Sequence, residues 1–252
     1  MSQLKSYAVW DAGTRWFHWI NALCVIALAV VGFLILNAGA IEVPTAGKVT
    51  LKTIHVWIGD VFALNLLWRF VWAFLGNSYA RWRSILPGGR GYFQALRSYV
   101  AAFIAGHPEQ YAGHNPAGRL GVAVLFLLIT LMAITGLVLA GTDLFYPPLG
   151  HWIAQWVAAP GVDTATLKPY APAMYDAAAY DSMRAFRKPF AVVHLYSFYA
   201  LLVVVVLHVT AVIITELKEG GSIISAMFTG RKILGGRPKD EGHGDEGHGR
   251  QD

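Results

Sequence analysis

Four of the nine histidines in this chain, His18, His55, His194 and His208, fall inside long apolar stretches. An imidazole in such surroundings is costly and calls for a partner. Taken singly, each can bond a backbone carbonyl or a serine of a neighbouring helix, and that plain reading is the commoner one. Their spacing says more. His194 and His208 are fourteen residues apart, which is about 1400° of helical rotation and ~21 Å of rise, so they share one face of a helix.

The elements that must hold these rings are read from the apolar runs. Of the 252 residues, 56% are hydrophobic and 14% charged, where a soluble domain carries about a quarter charged. Four runs, at 16–36, 51–75, 120–140 and 190–215, are long enough to cross a hydrocarbon core, which takes roughly 20 residues in a helix. None alternates as a strand would, and in lipid only a helix or a closed barrel satisfies its own backbone. The fold class expected is an all-α membrane protein, a four-helix transmembrane bundle with short interfacial helices. Residues 1–232 form its transmembrane domain, and 233–252 a polar, disordered cytoplasmic tail. Gly91 to Ala105 reads as an amphipathic surface helix, and Leu149 to Ala158 as a short interfacial one within a long loop, 142–187. The first run has no small-residue cleavage site followed by polar sequence and reads as a retained span.

Basic residues set the orientation. With a cytoplasmic N-terminus, the inner flanks and loops carry thirteen Lys and Arg and the outer ones six. Both termini are therefore expected in the cytoplasm, in a multi-pass protein of a bacterial inner membrane. The net charge of +5 suits anionic lipid; the apolar runs give no reason to invoke nucleic acid. The single cysteine, Cys24, allows no intrachain disulfide, and there is no CxxCH for covalent haem attachment.

In that topology His18 pairs with His208 at one leaflet and His55 with His194 at the other. Two neutral imidazoles facing each other across a bundle meet the needs of bis-histidine haem ligation. Gly32, Gly59 and Gly136 allow a flat macrocycle to approach the backbone, and equally allow close helix contact. Arg15 and Arg69 are the cations expected beside haem propionates; snorkelling to the headgroups is the alternative for Arg69. Asp60 lies in the second span with no partner apparent. His107 and His114 fall in the inner loop, His151 in the outer one, and His243 and His248 in the tail.

The stretches RWFHW (15–19), IHVWIG (54–59), WRFVWAFLGN (68–77) and GHNPAGRLG (113–121), with the fourteen-residue histidine spacing, resemble the b-type cytochrome subunit of nickel–iron hydrogenases and the wider bacterial di-haem cytochrome b561 superfamily. The resemblance covers essentially residues 10–232. It implies iron ligands at His18, His55, His194 and His208, two haem b groups and quinone as exchangeable partner. It also implies an electron-transfer subunit rather than a self-contained enzyme. A periplasmic redox protein or hydrogenase-type small subunit is expected to dock on the 142–187 loop. Position 31 is Val where the hydrogenase subunits have Thr, and the segment around His194 reads VVHLYSFY without the usual His-Arg pair. Two other classes compete. One is a stand-alone quinone oxidoreductase acting on a small species such as superoxide. The other is a colourless, His-lined metal or proton pathway.

Overall fold

A computed structural model describes residues 4–219 and 222–241. Four long helices dominate: α1 (Ala12–Asn37), α2 (Thr45–Leu75), α5 (Pro116–Leu144) and α7 (Ala177–Glu219). All four are long and apolar enough to cross a membrane. Shorter helices lie between them: α3 (Trp82–Ile85), α4 (Tyr92–Ile104), α6 (Gly150–Val157) and α8 (Ile223–Thr229). The expected helix at 91–105 is α4 and the one at 149–158 is α6. Strands β1 (Lys5–Ala8) and β2 (Arg231–Leu234), which the sequence reading did not anticipate, pair antiparallel with Lys5 opposite Leu234 and Ala8 opposite Arg231.

Each long helix exceeds its expected span, and the caps explain three of the starts. Asp11 Oδ1 accepts the Thr14 N–H at 2.8 Å, opening α1. Asn115 Oδ1 accepts the Gly118 N–H at 2.7 Å, with Pro116 at the first helical position of α5. Asp176 Oδ1 accepts the Ala179 N–H at 2.8 Å at the head of α7. A short polar side chain relieves an orphan donor in each case. The last cap corrects the reading of 142–187 as loop throughout, because residues 177–187 already belong to α7. At 43 residues α7 runs for ~64 Å, about twice a hydrocarbon core. Its Pro189 lies beside the expected start of the span.

The long helices expose apolar side chains along whole faces. On α1, Leu23, Ile26, Val30 and Phe33 are each more than half exposed, and their spacing of three and four residues makes one stripe. Bare in water, such a stripe has no place on a monomer; against acyl chains it needs no further cover.

The chain divides into two compact units. Unit 1 comprises Met1–Trp19, Leu66–Leu127 and Leu202–Asp252; unit 2 comprises Ile20–Asn65 and Leu128–Leu201. Each has a small core of its own outside the apolar runs. In unit 1 Val9, Ala112 and Leu234 are buried with Tyr7, Trp10 and Tyr79 packed on them. In unit 2 Ile153, Val157, Tyr175 and Met183 form the centre, with Phe145 and Leu149 against them.

The boundary expected at residue 232 falls inside β2. Asp240, expected at the start of a disordered tail, accepts the backbone N–H groups of Ala112 at 2.7 Å and Gly113 at 2.8 Å. Those bonds hold the 233–241 stretch on unit 1; His243 and His248 lie outside the described residues. Gly230 closes α8 at φ +79°, and a Cβ there would stand 2.6 Å from the Trp10 carbonyl oxygen. That carbonyl and positive φ leave room for glycine alone. Its own carbonyl accepts the N–H groups of Val9 and Trp10, fastening α8 to the head of α1.

Candidate haem-binding sites

The four intramembrane histidines come together as two couples, one in each unit. In unit 2 the rings of His55 on α2 and His194 on α7 have centroids 6.4 Å apart and planes 69° apart. Metal–imidazole bonds of about 2 Å and a further ~1 Å from nitrogen to ring centre put two axial imidazoles on one metal about 6 Å apart, centre to centre. The observed separation fits an iron between them.

His194 is also held in the right tautomer. Its Nδ1 lies 2.8 Å from Thr135 Oγ1, and that hydroxyl donates its own proton to the Leu131 carbonyl at 2.6 Å. Thr135 can therefore only accept, so Nδ1 carries the hydrogen and the Nε2 lone pair is left for a metal. His55 Nδ1 is buried with no hydrogen-bond partner among the described residues.

The glycines divide in role. A Cβ at Gly32 would lie 3.4 Å from His55 Cε1, and one at Gly136 would lie 3.5 Å from His194 Cε1. These two place the backbones of α1 and α5 beside the imidazoles, at separations a Cβ would also tolerate. At Gly59, one turn beyond His55, a Cβ would meet nothing within 4 Å. Close helix contact is therefore not what Gly59 provides; the space beside it is open among the described residues.

In unit 1 His18 on α1 lies within electrostatic range of His208 on α7. His18 packs edge-on against Trp19 at 5.1 Å, and its Nδ1 is buried without a partner among the described residues. Arg69 is 3% exposed, bonds the Ala80 carbonyl at 2.8 Å and faces the Phe17 and Phe126 rings at 5.8 and 5.7 Å. It does not snorkel: aromatic faces and a carbonyl carry its charge. Its Nη1 is buried with no hydrogen-bond partner among the described residues. Arg15 donates to the Phe228 carbonyl, and its Nε is likewise buried and unpartnered.

Several residues of these sites escaped the sequence reading. Thr135 is an ordinary polar residue in an apolar run, and nothing local marks it. His114 packs half-buried against Trp10, with ring centroids 4.8 Å apart, within range of His208 and Arg69. Burial, then the cations Lys232 and Arg69, push its pKa down to about 3. Its place in GHNPAGRLG was the available signal. Lys52, Asp143 and Arg187 form an ion triad that only the tertiary structure brings together.

Residues 9–230 match the prokaryotic cytochrome b561 family. The chain belongs to that family. It is a membrane protein of that family, with four helices long and apolar enough to span. It is 32% identical over 157 residues to a probable Ni/Fe-hydrogenase B-type cytochrome subunit of Cupriavidus necator, covering 59% of this cytochrome and 63% of that subunit. The corresponding protein of Rhizobium leguminosarum bv. viciae is 27% identical over 244 residues, 91% of this chain and 90% of that one. A probable Ni/Fe-hydrogenase 1 B-type cytochrome subunit of Escherichia coli K12 is 34% identical over 146 residues, 53% and 60% of the two chains. The C. necator and E. coli alignments thus span less than two thirds of those subunits. No solved structure gives a significant match.

Proposed function

We propose that this cytochrome holds two haem b groups, one between His18 and His208 and one between His55 and His194, and carries electrons across a bacterial inner membrane. The electrons pass between a periplasmic redox partner and the quinone pool, with the chain serving as the cytochrome subunit of a nickel–iron hydrogenase. The observation that carries this reading is the 6.4 Å separation of the His55 and His194 rings, with an open flank at Gly59.

The residues have distinct parts. Haem b supplies reversible one-electron chemistry when bound. His55, His194, His18 and His208 would hold the haems through ring nitrogens, and Thr135 fixes the His194 tautomer. Gly32 and Gly136 lie beside the imidazoles. Arg15 and Arg69 offer unspent buried donors to the carboxylates of the haem in unit 1. The excess of basic residues in one set of flanks supports cytoplasmic termini. In that orientation the 142–187 segment faces the periplasm and receives the partner, while the His18–His208 couple serves quinone on the cytoplasmic side. The hydrogenase assignment draws on the relatives' names, which describe subunits and do not favour a self-contained oxidoreductase.

The purified protein is expected to show the sharp reduced bands of bis-histidine haem b and two haems per chain by pyridine haemochrome. A colourless preparation, or one with a single haem, would falsify the two-site reading. Affinity purification from native membranes is expected to bring down a hydrogenase; recovery of the cytochrome alone under mild detergent counts against that partner.

A further inference from the structure

Three helices each bring one charged side chain to the same side of the His55–His194 couple. Lys52 on α2 lies three residues before His55, on the same face and ~4.5 Å along the axis. Arg187 on α7 lies seven residues before His194, two turns away. Asp143 on α5 lies seven residues after Gly136, the glycine beside the His194 ring. They meet: Lys52 Nζ is 2.6 Å from Asp143 Oδ2, and Arg187 Nη2 donates to the same oxygen at 2.9 Å.

We propose that Lys52 and Arg187, steadied by Asp143, clamp the carboxylates of the haem held between His55 and His194. This rests on the reading above that the couple takes a haem. Charge is the first argument. One carboxylate faces two cations, and Arg184 lines the same small cavity of about 60 Å³ beside Tyr170, Tyr175 and Tyr180. The Lys52 and Arg187 side chains are only 22% and 20% exposed. A surplus of sheltered positive charge is expensive unless an anion completes it.

Position is the second. Arg187 Nε stands 2.6 Å from Asp143 Oδ1 and its Nη2 donates to Oδ2 at 2.9 Å. This side-on pair fixes the guanidinium, and Lys52 spends one of its three protons on the same carboxylate. The chemistry agrees, since a guanidinium fork and an ammonium are suited to carboxylates, and haem b carries two. Asp143 then serves as a positioning residue that keeps both cations extended while the site is filled.

The test is a spectropotentiometric titration of the purified two-haem protein together with its resonance Raman propionate bands. Removing a cation disfavours the reduced iron, so Lys52→Gln and Arg187→Gln are expected to lower the midpoint of one haem. Asp143→Asn removes a negative charge and is expected to raise the same midpoint. Each change amounts to roughly two- to tenfold in the reduction equilibrium, tenfold being about 59 mV for one electron. A staple that does not touch the haem can move a midpoint through space but leaves the propionate Raman bands in place, so unshifted bands in all three variants, with both haems retained, overturn the clamp. Where a glutamine variant does not assemble, Arg187→Lys keeps the charge and loses the fork. It is expected to shift the propionate band with little change in midpoint, and an unshifted band overturns the proposal. A His55→Ala protein that still binds two haems removes the haem reading and the clamp with it; one that loses a haem while the propionate bands above stay put removes the clamp alone.

Discussion

Units 1 and 2 each enclose a histidine couple, yet they hold their charges by different means. In unit 2 Lys52 and Arg187 converge on the carboxylate of Asp143, and a side-chain hydroxyl fixes His194. In unit 1 four cations end on backbone carbonyls, while Lys239 pairs with Glu109 and Arg237 with Glu241. Arg15 donates to Phe228, Arg69 to Ala80, Arg119 to Leu86 and Lys232 to Tyr111. A carbonyl dipole satisfies each donor, while carboxylates act on two of these cations through space, Asp11 on Arg69 and Glu219 and Asp240 on Lys232. In unit 2 the carboxylate contact is direct. Two sites with the same ligands are thereby given different electrostatic surroundings.

The sharpest way to break this comparison is to remove one ligand at a time. His194→Ala and His208→Ala are each expected to lose one of two haems and leave the other's spectrum and midpoint in place. Loss of both haems from one substitution would show that the units do not bind independently. Next in size is Asp143→Ala. Breaking a sheltered ion triad is expected to cost about 3 kcal/mol in thermal or denaturant unfolding of the solubilised protein. Arg69→Gln, which removes no ion pair, is expected to cost less; equal losses would erase the distinction between the two units.

Thr135→Val follows. Outer partners of ligating histidines are commonly worth 10- to 100-fold in affinity, and the lower end, about tenfold in haem retention, is expected for the unit 2 site alone. Thr135→Ser is expected to restore it. The smallest effect concerns unit 1. The folded pKa of His114, about 3, lies below the ordinary value of 6.5. The folded state therefore favours the neutral ring. Its contribution is complete above about pH 6.5 and is lost as pH falls toward 3. The melting temperature is expected to drop on acidification from pH 7 to pH 5, and His114→Gln is expected to flatten that drop. An unchanged slope in the variant would mean that other groups titrate.

How much of this was legible in the sequence follows from how local each signal is. The spans were readable because apolar length is a property of consecutive residues, and the caps at Asp11, Asn115 and Asp176 mark starts that lie beyond the apolar runs. The four histidines stood out because imidazole is rare in such runs, and their pairing followed from helical arithmetic. Thr135, Asp143 and Arg187 carried no comparable mark. Each is ordinary where it sits, and its role exists only through a neighbour 44 to 91 residues away. The β1–β2 pairing was hidden for the same reason, since its strands are four residues each and stand at opposite ends of the described chain.

That pairing of residues 5–8 with 231–234 bears on when the protein can mature. A ribosome releases His18 early, but its counterpart follows 190 positions later, and the strand that zips the two extremities comes later still. His55 waits 139 positions for His194. Neither pocket exists on a nascent chain until the last span is made. On the two-haem reading proposed above, cofactor loading belongs after translation, as a step performed on an already inserted bundle, and a product cut short before α7 lacks two of the four histidines.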